Sequence, residues 1–399
     1  MTDRYVRTLS YFDGETHQND GPYIFAIRDG VIAGIAREAT LAGLPGALDL
    51  DAAFLSPGLV EAHAHLFLKG EELDGDKRAA FLKSDREAWL AAGHANLGRA
   101  MDHGITLIRD AGDNAGINTE IRDAVNYDPS VPIRIRSAGL GLRKPGRYSS
   151  LFAIEVAGPG DIRARIADLA GRSDDLKVFE TGIIDFDAGA VKGHPQFDFD
   201  AFTLIAVEAR RHGMPVFVHC SGAEGLDIIT RCEIDSVEHG FFMRGHHLQA
   251  MAERRIAWVP TFSPVHFQWE NPGYAGWSPQ TLGNLRMILD AHLDYVGRAI
   301  KLGVPLVAGS DAGSQGVVHG RALIDELLFF DQAGMAMDDI LASATSRPRE
   351  RWKIAGGRLA IGQPLDIAFF AASPYGDAGN LRQIRGVALG GTVRLASAG

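Results

Sequence analysis

Cysteine is scarce in this chain of 399 residues: Cys220 and Cys232 are the whole complement. Two thiols rule out a disulfide framework, and their spacing rules out a CxxC metal or redox pair, so the expected surroundings are reducing. Long apolar runs are missing as well. No stretch approaches the roughly 20 uninterrupted apolar residues of a membrane span, and the opening MTDRYVRTLSYFDGETHQND has no apolar core of a secretory signal. A cytoplasmic protein with no membrane partner is therefore expected. Positive charge is outnumbered, 40 Lys and Arg against 50 Asp and Glu, and the net −10 repels a phosphate backbone. Nucleic acid is disfavoured as the main partner.

What is present is an ordinary globular composition with a length that suits one (β/α)₈ barrel of about 250 residues plus an appendage, or two to three average domains. The first fifty-odd residues alternate apolar and polar positions between turn residues, and Asp29-Gly30 between 23–27 and 31–35 predicts a hairpin with a type I′ turn. Segments 365–371 and 386–395 read as strands too, so the two ends, 1–56 and 357–399, are expected to form one discontinuous β-sandwich. Between them, 57–356 alternates β-branched runs with amphipathic stretches, the pattern of parallel βα units. Candidate strands are 59–63, 105–109, 132–137, 176–179, 215–219, 234–238, 256–261 and 304–309, and candidate helices include 84–103, 161–170, 200–212, 282–302 and 321–332. Eight such units predict a (β/α)₈ TIM barrel, with 270–279 as a long loop placed to act as a lid.

In a barrel of this kind, residues at the C-terminal ends of the strands face the active site. His63 and His65 end the first strand two residues apart, on one side of an extended chain, so both imidazoles can face one metal ion. Lys177 lies on the fourth strand, His219 ends the fifth, His239 follows the sixth and Asp311 follows the eighth. Each alone has a plainer reading: a hydrogen-bonded structural histidine, a lysine snorkelling outward, a loop or N-cap aspartate. His17, His94, His103, His212, His246, His247, His292 and His319 are assigned such structural roles. Four histidines, a carboxylate and a lysine at successive strand ends are hard to obtain by coincidence, because polar groups are seldom placed near a core without partners.

The chain resembles the amidohydrolase superfamily of metal-dependent hydrolases, in its prolidase-like and imidazolonepropionase-like branch. The resemblance spans nearly the whole length and is carried by PGLVEAHAH at 57–65, GITLIRDAG at 104–112, LKVFETG at 176–182, VFVHCSGAEG at 216–225, SVEHG at 236–240, VAGSDAG at 307–313 and GRLAIGQPLDIAFF at 357–370. It implies two divalent metal ions, usually Zn²⁺ with Mn²⁺, Fe²⁺ or Co²⁺ as alternatives, bridged by a carboxylated Lys177. His63, His65, Lys177 and Asp311 would hold one ion, and Lys177, His219 and His239 the other. A hydroxide formed between the ions would attack a polarised carbonyl, while Asp311 would carry the proton to the departing amine. Deaminases of the superfamily place a glutamate three residues after the fifth-strand histidine; here that position is Gly222, which disfavours a deaminase.

Substrate choice is less legible. Where prolidase-like relatives commonly have Gly-Gly-His after the third strand, this chain has GLGLRKPGRY at 139–148, which puts dipeptide specificity in doubt. Arg143, Lys144, Arg147 and Tyr148 are candidates to clamp a carboxylate or amide, His266 to orient the scissile carbonyl, and Phe241, Phe242 and Trp269 to line an apolar pocket. The expected activity is hydrolysis of a C–N amide-type bond in a small molecule: an N-acyl amino acid, a dipeptide or a small aromatic or cyclic amide. The rivals are a carbamate, urea or thiocarbamate hydrolase, a lactam or imidazolone ring-opening enzyme, and a metal-free scaffold, with assembly into a homo-oligomer left open.

Overall fold

In the computed structural model, which describes residues 4–37, 40–48, 50 and 52–397, Asp29 and Gly30 take φ of 51° and 76°. Two successive left-handed residues are what a type I′ turn requires. They close an antiparallel hairpin of Tyr23–Arg28 on Val31–Arg37. This hairpin, with Arg4–Thr8 and Ala47–Leu48, makes a four-stranded sheet. A six-stranded sheet runs in the order Thr392–Leu395, Ile384–Leu389, Asp366–Phe370, Phe54–Pro57, Ser10–Phe12, His17–Gln18, so it draws on both ends of the chain. Val6, Phe25 and Ile32 from the first sheet and Leu55, Ile367 and Phe369 from the second share one apolar cluster. Residues 1–3, 38, 39, 49, 51, 398 and 399 of these terminal segments lie outside the described residues.

The middle of the chain is α/β with parallel strands. Leu59–Ala64, Ile105–Asp110 and Arg134–Ser137 form one parallel set. Ala153–Glu155, Gly141–Arg143, Leu176–Phe179, Val216–Cys220, Ser236–His239 and Ala257–Val259 form a second. Near-continuous burial of these strands follows from helices packed over them, including Arg86–Asp102, Phe199–Arg211 and Pro279–Leu302. Asp85, Asp198 and Ser278 cap these three by accepting the backbone N–H of Ala88, Ala201 and Thr281. Among the described residues no helix is long and apolar enough to cross a membrane.

Three local expectations change. The segment 304–309 is not a regular strand: it meets its neighbours through Trp258 N to Pro305 O, Val307 N to Trp258 O and Ala62 N to Ala308 O, while the Ala308 and Val60 N–H groups turn to Ser343 O and Ala344 O. The C-terminal end of the helix Met337–Ser343 thus takes donors that a ladder would have used. After the third strand the chain breaks at Gly139 (φ 60°), and Gly141–Arg143 takes the place beside Leu176–Phe179, through Leu142 on Val178. The segment 270–279 is largely helical, with Ser263–Glu270 followed by Pro272–Ala275, and Gln315 Nε2 donates to Tyr274 Oη at 2.8 Å.

A buried ion pair joins the terminal sheet to the parallel strands. Arg349 donates to Asp366 Oδ2 at 2.6 Å, to Gly58 O at 2.6 Å and to Thr106 Oγ1 at 2.8 Å, and Thr106 donates to Asp366 Oδ1 at 2.6 Å. A Cβ on Gly58 would sit 2.0 Å from Thr106 Oγ1, which is why glycine stands there. Arg349→Met strands the Asp366 carboxylate in the interior and is expected to cost about 3–5 kcal/mol in urea denaturation. A loss under about 1 kcal/mol would show that the pair does not hold the sheets together.

Candidate metal centre

Alternation along Leu59–Ala64 places Glu61, His63 and the following His65 on one side of the chain. Glu61 is fully buried and fixes the strand end, accepting the N–H of His63 at 3.0 Å, the N–H of Ser310 at 2.9 Å and the Ser310 hydroxyl at 2.5 Å. This joins the first strand to the segment that carries Asp311. His63 Nε2 and His65 Nε2 lie 3.6 and 3.4 Å from Asp311 Oδ1, and Lys177 Nζ lies 3.3 Å from His63 Nε2. The His239 ring is 5.1 Å from that of His63 and 4.5 Å from that of His219. All six side chains line one cavity of about 330 Å³.

Three residues of the site hold positive φ without being glycine: His239 at 71°, Thr261 at 52° and Asp311 at 56°. Such conformations cost on the order of 1–3 kcal/mol each and persist where the surroundings enforce them. Here Thr261 Oγ1 lies 2.7 Å from His239 Nδ1, and the Trp258 indole donates to His239 O at 2.9 Å.

The electrostatics suit cation ligands. Burial drives His63 and His239 well below the ordinary imidazole range and His219 down to about 3, so their lone pairs are not taken by protons. Burial opposes the charge on Asp311, but a hydrogen bond from His65 and the charges of His63, His65 and Lys177 hold its carboxyl down to about 2. Burial lowers the Lys177 amine to about 7 against the pull of Glu238 and Asp311; its Nζ meets His63 Nε2 at 3.3 Å and the rings of Phe217 at 4.7 Å and Phe179 at 5.3 Å, and no described carboxylate is ion-paired with it. His65 Nδ1 is buried with no hydrogen-bond partner. Neutral imidazoles, a carboxylate and a buried amine facing one another make a donor set that fits divalent metal ions.

A second group, Asp227, His246 and His247, also has close ligand atoms. There, His247 Nδ1 accepts the Arg244 N–H at 2.9 Å, so its Nε2 carries the hydrogen and donates to Asp227 at 2.8 Å. That ring is committed to hydrogen bonds, the structural role expected of it.

Sequence reasoning missed the side chains behind the centre. Glu238 Oε2 accepts from His63 Nδ1 at 2.6 Å, and Arg109 holds Glu238 Oε1 at 3.0 Å while donating to Ala62 O at 2.7 Å. The guanidinium is sandwiched by Phe217 at 4.1 Å and Trp352 at 5.1 Å. With Nδ1 carrying the hydrogen, His63 presents Nε2 as a lone pair to the cavity. A charged residue inside an apolar strand, as in ITLIRD and SVEHG, was the available signal, since such a charge needs a buried partner. Glu238→Gln is expected to weaken metal binding by about 10- to 100-fold in equilibrium dialysis; unchanged affinity would remove Glu238 from the support of His63.

Of the substrate candidates, Tyr148 lines the cavity, its ring 5.5 Å from that of His219. Arg143 and Arg147 do not. Arg143 is paired across strands with Glu155 at 2.8 Å, because Gly141–Arg143 runs beside Ala153–Glu155, and Arg147 donates to His194 O. Lys144 lies over the Phe197 ring. His266 faces Glu270 at 3.7 Å in a separate hollow with Arg321 and Phe329. Phe241 lines the cavity; Phe242 and Trp269 do not. The rest of the wall is mostly aromatic and aliphatic, including Leu68, Phe152, Ile184, Phe186 and Val265.

Comparison with known proteins adds a family. The sequence pattern described as "Amidohydrolase family" matches residues 54–394. An uncharacterized protein of Mycobacterium tuberculosis is 29% identical over 307 residues, 76% of this chain and 75% of that one. The ochratoxinase of Aspergillus niger is 24% identical over 356 residues, 81% of this chain and 71% of that one. Among solved structures, a Xaa-Pro dipeptidase with bound methionine in its active site superimposes with a TM-score of 0.84 at 22% identity, covering 99% of this chain and 100% of that one.

Proposed function

Since the chain belongs to the amidohydrolase family, enzymes that hydrolyse carbon–nitrogen bonds, we propose that it is a binuclear-metal hydrolase of amide-type bonds in small molecules. The observation that carries this reading is the convergence of His63, His65, Lys177, His219, His239 and Asp311 on one cavity whose remaining wall is mostly aromatic and aliphatic. We read the parallel strands as a (β/α)₈ barrel over 57–356, with 1–56 and 357–399 as its β-sandwich. His63, His65 and Asp311 would hold one ion, His219 and His239 the second, and a carboxylated Lys177 would lie between them. Divalent ions such as Zn²⁺ supply a Lewis acid for a carbonyl oxygen and lower the pKa of water at the site.

The protein's own groups supply the rest. Lys177, its amine lowered by burial to about 7, has a neutral form whose lone pair adds CO₂, giving a carbamate and releasing a proton. Tyr148 is a neutral donor of the cavity wall, its phenol pushed further up by burial, and can hold a carbonyl oxygen. Asp311 takes the proton of the attacking water and gives it to the nitrogen as the C–N bond breaks, leaving a carboxylic acid and an amine. The apolar lining excludes bulk water and suits an N-acyl amino acid, a dipeptide with apolar side chains or a small aromatic or cyclic amide. The likeness to a Xaa-Pro dipeptidase supports an amide bond.

The test combines metal analysis of the purified protein with kcat/KM over acyl-amino acids, dipeptides, arylureas, carbamates and cyclic amides. Two equivalents of metal and turnover of acyl compounds are expected. Metal-free protein that takes up no Zn²⁺, Mn²⁺ or Co²⁺ favours a scaffold, and turnover confined to ureas or carbamates moves the substrate class.

A further inference from the structure

The short helix Gly75–Phe81, capped by Asp74, buries none of its residues fully. Only its last residue, Phe81, packs against the core, and seven residues with so little packing do not hold a helix in place by themselves. Its anchor is Arg78, which turns inward and donates to Lys69 O at 2.6 Å and to Gly313 O at 2.8 Å. Those carbonyls belong to the loops after the first and last parallel segments, which are also stitched by Gly316 N to Gly70 O at 2.8 Å. The guanidinium lines the same cavity as the six candidate ligands.

Two carbonyls orient a guanidinium without pairing it to an anion; Glu71 and Glu72 act on it only through space, and three of its five N–H groups stay available. No described carboxylate pairs with Arg78. Its acidic neighbours are engaged elsewhere: Glu71 with Arg99 at 2.8 Å and Glu72 with the Asp74 N–H at 3.0 Å. The Tyr274 hydroxyl accepts from Gln315. Apart from Lys177, which the reading above places between the metals, Arg78 is the one Lys or Arg in the described cavity wall. A half-buried cation held by two carbonyls in a cavity whose wall beyond the candidate ligands is mostly aromatic and aliphatic is a receptor for an anion, and the planar fork matches a carboxylate.

We propose that Arg78 anchors a carboxylate of the substrate, so that the bond cleaved belongs to an N-acyl amino acid with an apolar or aromatic body and not to a neutral amide. The assignment rests on the hydrolytic reading for the reaction but on Arg78 and the cavity for the anion. It is tested by binding, using N-tosyl-phenylalanine, whose sulfonamide is inert to amide hydrolysis, and its methyl ester. Both are titrated calorimetrically into the metal-containing protein and into Arg78→Met and Arg78→Lys.

The wild type should bind the acid at least about tenfold more tightly than the ester. Arg78→Met should lose about 10- to 100-fold for the acid and less than about threefold for the ester. Arg78→Lys, which keeps the charge and loses the fork, should fall between and decides the matter should the Met variant not fold. Equal affinity of the wild type for acid and ester, an unchanged acid affinity in the variants, or a parallel loss for both ligands overturns the proposal. Acid-selective, Arg78-dependent binding without turnover of any acyl compound leaves the anchor standing and overturns the hydrolytic reading; turnover indifferent to Arg78 does the reverse.

Discussion

Lys177→Ala should strip bound metal from the protein and lower kcat/KM by about 10³-fold or more, the equivalent of roughly 4 kcal/mol of lost transition-state stabilisation. The side chain is 1% exposed and rests on the rings of Phe217 and Phe179, with a 3.3 Å contact from Nζ to His63 Nε2. An amine in that position is costly to bury, whether charged or neutral, unless another group completes it. Conversion to a carbamate turns the misfit into an anion among cations. Two measurements separate this from a structural lysine. In chelator-treated protein, Lys177→Met should match or exceed the wild type in Tm, because the uncompensated amine is gone; in metal-loaded protein the order should reverse. Short carboxylates such as acetate or propionate should restore part of the activity of Lys177→Ala by occupying the space. Unchanged metal stoichiometry in Lys177→Ala would remove the bridging role.

How much of this was legible depended on the range of the interactions involved. The Asp29-Gly30 turn could be read because φ preferences are local, and the strand ends bearing His63, Lys177, His219 and His239 because apolar runs and the two-residue alternation are local as well. The break at Gly139 was hidden: it depends on Asn118, whose Oδ1 accepts the Gly139 N–H at 2.9 Å from a helix 21 residues earlier. The irregular 304–309 segment depends on Ser343 and Ala344, further still. Arg143 and Arg147 were read as substrate clamps by charge and neighbourhood, but charge alone does not say where a long side chain points. The Arg143 and Glu155 pairing follows from a strand register that the sequence pattern did not reveal. Arg78 was passed over for the converse reason: in GDKRAAF it looks like one more solvated cation, and only the two carbonyls that hold it turn it toward the cavity.

Asp311→Asn should lower kcat by about 10²–10⁴-fold while keeping most of the bound metal and leaving KM nearly unchanged. The substitution is chosen because it preserves nearly everything except the proton acceptor. Asn tolerates the left-handed region, so the φ of 56° at this position is not a new strain. Its amide oxygen can replace Oδ1 opposite His63 and His65, and the Ser314 hydroxyl that donates to Oδ2 at 3.1 Å can turn to accept from the new NH₂. Asp311 is ionised across the whole working range, its carboxyl held to about 2, so the loss should be the same at every pH where the wild type is active. Dividing kcat by metal content separates the two roles assigned to this residue. A fall in rate at constant metal content assigns the proton transfer to Asp311; a rate that falls only in proportion to lost metal makes it a ligand alone, and near-normal turnover per metal ion gives the proton to another group.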